Sequence, residues 1–375
     1  MDSMEKVFSA PGRIEICGNH TDHQRGRVLA AAINLEITAS AVATDTDKIR
    51  IKNKDFGDDE IDISCLEFRS EEIGTPASLV RGVAASFADK GYKIGGFDAE
   101  ISSDIPIGAG LSSSAAFEVL ICNIFKGLYG ADISKMEIAK AGQYAENVYF
   151  GKPSGLMDQT ASSFGGLNVI DFEDLDNPVI TPIKTDFHGY KVCVVDTGGS
   201  HADLTSDYAA CTREMKLIAK HFQKEHLRDV SESDFFAEIK KMRRLGDRAI
   251  LRAIHFFGDH ARVLKQAKAL SDGDMNTFLE LVIESGRSSL AYLQNVYSLN
   301  RQQDQGLTLA LALSESILAG KGAWRVHGGG FAGTILAFIP NDMADEYSTK
   351  MSAVFGPKSC HFLKINEHGG RELTK

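Results

Sequence analysis

Positive charge is in short supply: 41 Lys and Arg stand against 51 Asp and Glu, a formal net charge of −10. A general nucleic-acid binder needs a basic surface to neutralise phosphates, and an anionic membrane surface attracts Lys/Arg clusters; the chain offers neither. Long apolar runs are missing as well. The most suggestive, GLTLALALSESILAG, is interrupted by Ser314, Glu315 and Ser316, short of the ~18 residues of a membrane span. The stretch MDSMEKVFSAPG lacks the apolar core of a signal peptide. Cysteine is sparse and scattered: Cys17, Cys65, Cys122, Cys193, Cys211 and Cys360 form no CxxC pair and no metal-ligand spacing with histidine. Reduced thiols in a cytoplasm fit that pattern better than a disulfide framework does. Linkers rich in Pro or Ser, low-complexity tracts and internal repeats are also absent.

What is present reads as a globular protein. The 375 residues suggest about two domains, and 43% hydrophobic with 25% charged residues is an ordinary globular balance. Residues 28–44 and 97–102 read as strands, the second by its alternation of apolar and polar side chains. Residues 113–126 predict a buried helix begun by serines and closed near Gly127 and Gly130. A second helix, 135–149, carries Ile138, Ala141, Ala145 and Val148 at helical spacing. A strand follows at 190–196, helical periodicity dominates from about 205 to 318, and a strand returns at 334–339. This pattern predicts an α+β protein of two lobes, 1–185 and 186–375, with a ligand cleft between them.

Three segments carry possible chemistry. In IPIGAGLSSSAAFEV, glycines and serines lead into an apolar helix. The free N–H groups of a helix start, with the macrodipole, suit an anion; ordinary serine capping is the plainer alternative. The segment is neither a Walker loop nor a dinucleotide fingerprint. In RIEICGNHTDHQRGRVL, Arg13, Asn19, His20, Asp22, His23 and Arg25 gather as the many donors and acceptors a polyhydroxyl ligand requires, or simply as a solvated loop. In AENVYFGKPSGLMDQTASSFGG, Glu146 ends a helix and Asp158 opens another, as a general base, a metal ligand, or only a dipole contact. Near the end, RVHGGGFAGTIL adds a triple-glycine turn before a strand.

Taken in order, APGRIEICGNHTDHQRGRVLAAAI, IPIGAGLSSSAAFEV and VHGGGFAGT resemble the three signatures of the GHMP kinases, and within them of the galactokinase family. AENVYFGKPSGLMDQ is similar to the family's catalytic-aspartate segment, and DTGGSHADLTSDYAACTREM to the one ending in a sugar-contacting tyrosine, here Tyr208. The resemblance implies a two-lobed GHMP kinase fold, with a mixed sheet-and-helix N-terminal lobe and a helix-rich C-terminal lobe bearing an antiparallel sheet. It implies transfer of the γ-phosphoryl group of ATP to the anomeric hydroxyl of a galactose-type sugar. Asp158 would accept or orient the hydroxyl proton, with Arg13 beside it holding it ionised. Gly108, Gly110, Leu111, Ser112, Ser113 and Ser114 would bind the phosphates, and Ser114 with Glu146 would hold Mg. Asn19, His20, Asp22, Gly155 and Tyr208 would hold the sugar, and Gly328, Gly329 and Gly330 would close around the reacting groups. The expected partners are the small-molecule sugar and ATP, with no nucleic acid and no membrane.

The departures bear on the sugar. The family pattern RxNxIGEHTDY has a glutamate where Asn19 stands, near the sugar's sixth carbon, and a tyrosine where His23 stands. Losing that carboxylate relieves repulsion against a sugar carboxylate, so galacturonate or another derivative stands beside galactose as substrate; His20, His23 and Arg25 are then the basic groups to watch. Glu15, at the pattern's asparagine, has no explanation in the sequence. A non-catalytic sugar- and ATP-binding regulator is the alternative class, although Ser112 to Ala116, Asp158, Arg13 and Glu146 are all in place.

Overall fold

A computed structural model describes residues 4–53, 57–106, 108–185, 187–199 and 204–373. The first part of the chain builds β1 (Lys6–Cys17), β2 (Arg27–Ala43), β3 (Lys48–Asn53), β4 (Asp59–Asp62), α1 (Pro76–Asp89), β5 (Phe97–Ser103), α2 (Ser113–Tyr129), α3 (Lys135–Tyr144), α4 (Met157–Phe164), β6 (Leu167–Asp171) and β7 (Val179–Ile183). The second part builds β8 (Tyr190–Asp196), α5 (Thr205–His221), α6 (Glu232–Met242), α7 (Asp247–Ser271), α8 (Met275–Ser288), α9 (Gly306–Leu318), β9 (Ala323–Val326), β10 (Thr334–Pro340), α10 (Ala344–Phe355), β11 (Cys360–Leu363) and β12 (Arg371–Leu373). Among the described residues, no helix is long and apolar enough to cross a membrane.

The first sheet runs β12-β1-β2-β5-β3-β4, with β6 and β7 attached beside β2. Its pairs are antiparallel except β3 with β5. Alternation in β5 turns Phe97, Ala99 and Ile101 into the core, where they join Phe87 of α1 and Val119, Leu120 and Phe125 of α2. Gly130, at φ +75°, ends α2 in the left-handed conformation that glycine adopts without strain. A capping box between Ser134 and Glu137 begins α3.

The second sheet, β11-β8-β10-β9, is antiparallel throughout. Ile335, Ala337 and Val195 pack there against Tyr347 and Met351 of α10. Helices α5, α6 and α7 share a separate core around Met215, Phe235 and Phe256. The end of the chain does not stay with this second group. β12 pairs with β1, and Asn366 N donates to Ala32 O, so the expected second lobe lends its last residues to the first sheet.

The expected helix 135–149 also differs. It is α-helical to Tyr144 and continues as a π-helical turn over Ala145–Phe150. The wider turn shifts the helical phase. Val148, expected on the buried face, is 46% exposed, whereas Glu146 is almost wholly buried.

Candidate active site

Two irregularities in β1 prepare the site. Its pairing with β2 slips between Pro11 and Arg13 and again between Glu15 and Cys17, and such slips re-aim side chains. At Gly12 a Cβ would lie 2.8 Å from Leu111 O. Bare backbone there lets the glycine–serine loop dock on β1, where Arg13 N donates to Leu111 O at 3.1 Å. The Arg13 guanidinium then donates to both carboxylate oxygens of Asp158, at 2.7 and 2.9 Å, and to Gly110 O at 2.6 Å.

Asp158 sits in the first turn of α4, and Ser112 Oγ donates to it. Ser112 is the residue before α2, at φ +58°, and its side chain makes no cap. Ordinary serine capping therefore does not describe this loop. The hydroxyl that would cap α2 is spent on Asp158, and the first N–H groups of the helix have no intrahelical partner. Gly108 and Gly110, at φ +78° and +66°, complete the bend in front of them; Ile107 of the same segment lies outside the described residues. Burial pushes the Asp158 carboxyl up, but the charge and hydrogen bonds of Arg13, with Ser112, outweigh it and hold it below its usual range.

Glu146 lies next to this pair. Its Oε1 accepts from Ser114 Oγ at 3.1 Å and Lys152 Nζ at 2.7 Å; its Oε2 accepts from Ser154 Oγ at 2.6 Å and Gln159 Nε2 at 2.9 Å. Gln159 Nε2 also donates to Glu118 at 2.9 Å. Burial, then the Glu146 charge, pushes the Glu118 carboxyl well above the carboxylate range. Ser113 is half-buried at the head of α2.

On the other side of Asp158, Asp22 and Gly155 touch. A Cβ on Gly155 would fall 1.8 Å from Asp22 Oδ2, so this approach requires glycine. The triple-glycine turn is held by its carbonyls: Gly328 O by Asn19, Gly329 O by His20 and Asn295, Gly330 O by the Tyr208 hydroxyl. His23 presents a buried ring nitrogen. Leu227 N fixes the Gln24 amide by donating to its oxygen, so Gln24 Nε2 must donate to His23 Nδ1. The proton is thereby left on His23 Nε2, which has no partner. Burial lowers His20 to about 4 and His23 well below its ordinary value. At neutral pH both rings are uncharged donors.

Two expected ligand residues are placed elsewhere. Asn19 is wholly buried and its amide is saturated: Nδ2 donates to Glu15 and Gly328 O at 2.9 and 2.6 Å, and Oδ1 accepts from Asn295 and Ser289 at 2.7 and 3.3 Å. Its amide has no hydrogen bond left for a sugar. Glu15 is thereby explained. Glu15 and Asn19 touch, so the asparagine–glutamate pair of the family pattern is present in reverse order, with the carboxylate on the strand beside buried Arg325 at 3.3 Å. The Arg25 guanidinium is likewise engaged, with Glu173 O and Asp229.

Sequence reasoning missed Lys152 and Asp259. Asp259, on α7, is fully buried and accepts from Gly18 N and Asn19 N at 3.0 Å each, from Ser285 Oγ at 2.8 Å, and from Arg262. It secures the loop leading to His20 and Asp22 from 240 residues away. No local motif in α7 signals that contact. Residues 200–203 of the tyrosine segment lie outside the described residues.

Two family models match the chain. A model of the GHMP kinases N terminal domain fits residues 78–166, and the galactokinase galactose-binding signature fits residues 2–42. The structure superposes on Lactococcus lactis galactokinase complexed with galactose with a TM-score of 0.86 at 26% identity, covering 98% of this chain and 95% of that one. The chain carries a GHMP kinase N-terminal domain and a galactokinase galactose-binding signature on a galactokinase-like fold. Lower identity shows the fold again. Methanococcus jannaschii mevalonate kinase matches at TM-score 0.66 and 16% identity, over 97% of this chain and 99% of that one. Streptococcus pneumoniae phosphomevalonate kinase in complex with phosphomevalonate and AMPPNP matches at 0.64 and 13%, over 98% and 99%.

Within this GHMP kinase fold the donor set at Glu146 suits Mg. That ion takes one or two protein oxygens and completes its shell with phosphate and water. Ser114 Oγ and Glu146 Oε1 offer a hydroxyl and a carboxylate 3.1 Å apart. Among the described residues, no group of three or more His, Cys, Asp or Glu side chains gathers as a metal site; a cation here would take its remaining ligands from phosphate and water.

Proposed function

We propose that this kinase transfers the γ-phosphoryl group of ATP to the anomeric hydroxyl of a galactose-configured sugar. The observation that carries this reading is the Arg13–Asp158 pair, closed over by Ser112 of the glycine–serine loop on one side and flanked by Asp22 on Gly155 on the other. Nucleotide phosphate and sugar hydroxyl would meet at one carboxylate. Asp158 accepts the hydrogen bond of the anomeric hydroxyl and takes its proton as the new O–P bond forms and ADP departs. Its low pKa suits it to orient the nucleophile and accept the proton late, which a loose phosphoryl-transfer transition state permits. Backbone N–H groups at Gly108, Gly110, Leu111 and Ser112, with the start of α2, receive phosphate oxygens. Held by Ser114 and Glu146, Mg when bound neutralises charge on those phosphates. Asp22 and Tyr208 orient the ring hydroxyls, and His20 lies toward the sixth carbon.

A second reading, a sugar bearing a carboxylate at its sixth carbon, is favoured by the unpartnered His23 Nε2–H together with the saturated Asn19. ADP release measured with galactose, galacturonate and N-acetylgalactosamine separates the two. Galactose with the highest kcat/KM supports the first reading; galacturonate with the highest supports the second. Equal ADP release with and without every sugar would leave only the regulator.

A pH dependence follows from Asp22. Burial pushes its carboxyl up to about 6, against the His23 N–H that donates to it, and the Asp158 charge adds to the rise. An ionised Asp22 accepts two sugar hydroxyls; a protonated one accepts fewer. The expected kcat/KM for sugar is flat near neutrality and falls about tenfold per pH unit in acid, with the break near 6. Asp158, held below its usual range, adds no break there. A profile without an acid limb near 6 would remove ionised Asp22 from sugar binding.

A further inference from the structure

Lys152 occupies the short segment between the π-helical turn and α4. Its backbone N–H is anchored on Glu146 O at 3.1 Å, while its side chain is 58% exposed above a Glu146 that is 1% exposed. The ammonium thus faces solvent over a buried carboxylate.

Before nucleotide enters, Asp158 and Glu146 each have a cation already: Arg13 on Asp158 and Lys152 on Glu146. A nucleotide triphosphate brings several negative charges into a site whose positive charges are already engaged. The two cations are not equally free. Arg13 makes three hydrogen bonds through a rigid fork, two to Asp158 and one to Gly110 O. Lys152 makes one side-chain contact, through a group with three rotatable donors on a flexible stem.

The partners of Glu146 divide in the same way. Ser154 and Gln159 hold Oε2 from within the protein, whereas Oε1 is held by Ser114 and Lys152. Removing Lys152 therefore leaves Oε1 to Ser114 alone and keeps the carboxylate oriented. We propose that Lys152 is a phosphate-binding side chain that guards Glu146 Oε1 in the empty site and transfers to a nucleotide phosphate oxygen on binding. The inference rests on the kinase reading above and adds a residue to it: nucleotide affinity has a component that needs no divalent ion.

Calorimetric titration of the full chain with ATP in excess EDTA tests this. Wild type is expected to bind metal-free ATP, Lys152→Met about tenfold or more weakly, and Lys152→Arg within about threefold of wild type. Manganese titrated into the nucleotide-free protein and followed by electron paramagnetic resonance is expected to bind Lys152→Met more tightly, because Glu146 Oε1 is no longer guarded. Equal metal-free ATP affinity in wild type and Lys152→Met overturns the proposal, as does no metal-free binding by wild type. A loss in Lys152→Arg as large as in Lys152→Met also overturns it. Failure of wild type to bind ATP even with Mg is a different result, and it overturns the kinase reading itself.

Discussion

Asp158→Asn is expected to lower turnover by about 10²–10⁴-fold while the protein keeps its circular dichroism spectrum and its sugar affinity. The size is that of removing a positioned proton acceptor. Asn keeps an oxygen that can accept from Arg13 Nε, and the Asp158 side chain is 24% exposed to the cleft. The variant therefore loses the acceptor without leaving a sealed, unpaired arginine. Single-turnover kinetics with saturating sugar and Mg-ATP make the measurement. Turnover near that of wild type would remove Asp158 from the chemistry.

Asp259→Ala is expected to act through the fold. Truncation strands two backbone N–H groups, the Ser285 hydroxyl and the Arg262 guanidinium around a buried site. Removing one partner of a buried charge pair costs about 3–5 kcal/mol, to be read from urea unfolding. Burial pushes the Asp259 carboxyl up, but His255, Arg325 and Arg262 outweigh it and hold it near 2. A folded-state pKa below the unfolded value means that this stabilisation is present at neutral pH and is lost as pH falls toward 2. Because Asp259 carries the loop of His20 and Asp22, KM for sugar is expected to rise more than kcat falls. Unchanged stability and unchanged KM would show that the loop needs no support from α7.

Much of this was legible in local sequence, and the limits have physical causes. Alternation of apolar and polar residues located β5, and the apolar run of YKVCVVD located β8, because both strands bury side chains locally. The serine-led start of α2 was legible too, although the role of Ser112 was not: whether a hydroxyl caps its own helix or reaches Asp158 depends on a residue 46 positions away. The reversed Glu15–Asn19 pair was visible as two separate oddities, and only their 2.9 Å contact joins them. Exposure of Val148 follows from a π-helical turn that helical spacing does not announce. Asp259 and the return of β12 are long-range events, with no periodicity to mark them. The −10 charge describes the outer surface; the phosphate reading rests on a handful of amides, Arg13 and Lys152 within it.

The position of the phosphate on the product tests the central claim most directly. Galactose or galacturonate incubated with the enzyme, ATP and Mg is expected to release ADP in step with a sugar phosphate. In a proton–phosphorus correlation spectrum, that product's phosphorus should couple to the anomeric hydrogen. A phosphorus that correlates instead with a hydrogen on another ring carbon or on a methylene carbon, or no sugar-dependent ADP from any galactose-configured sugar, would contradict it.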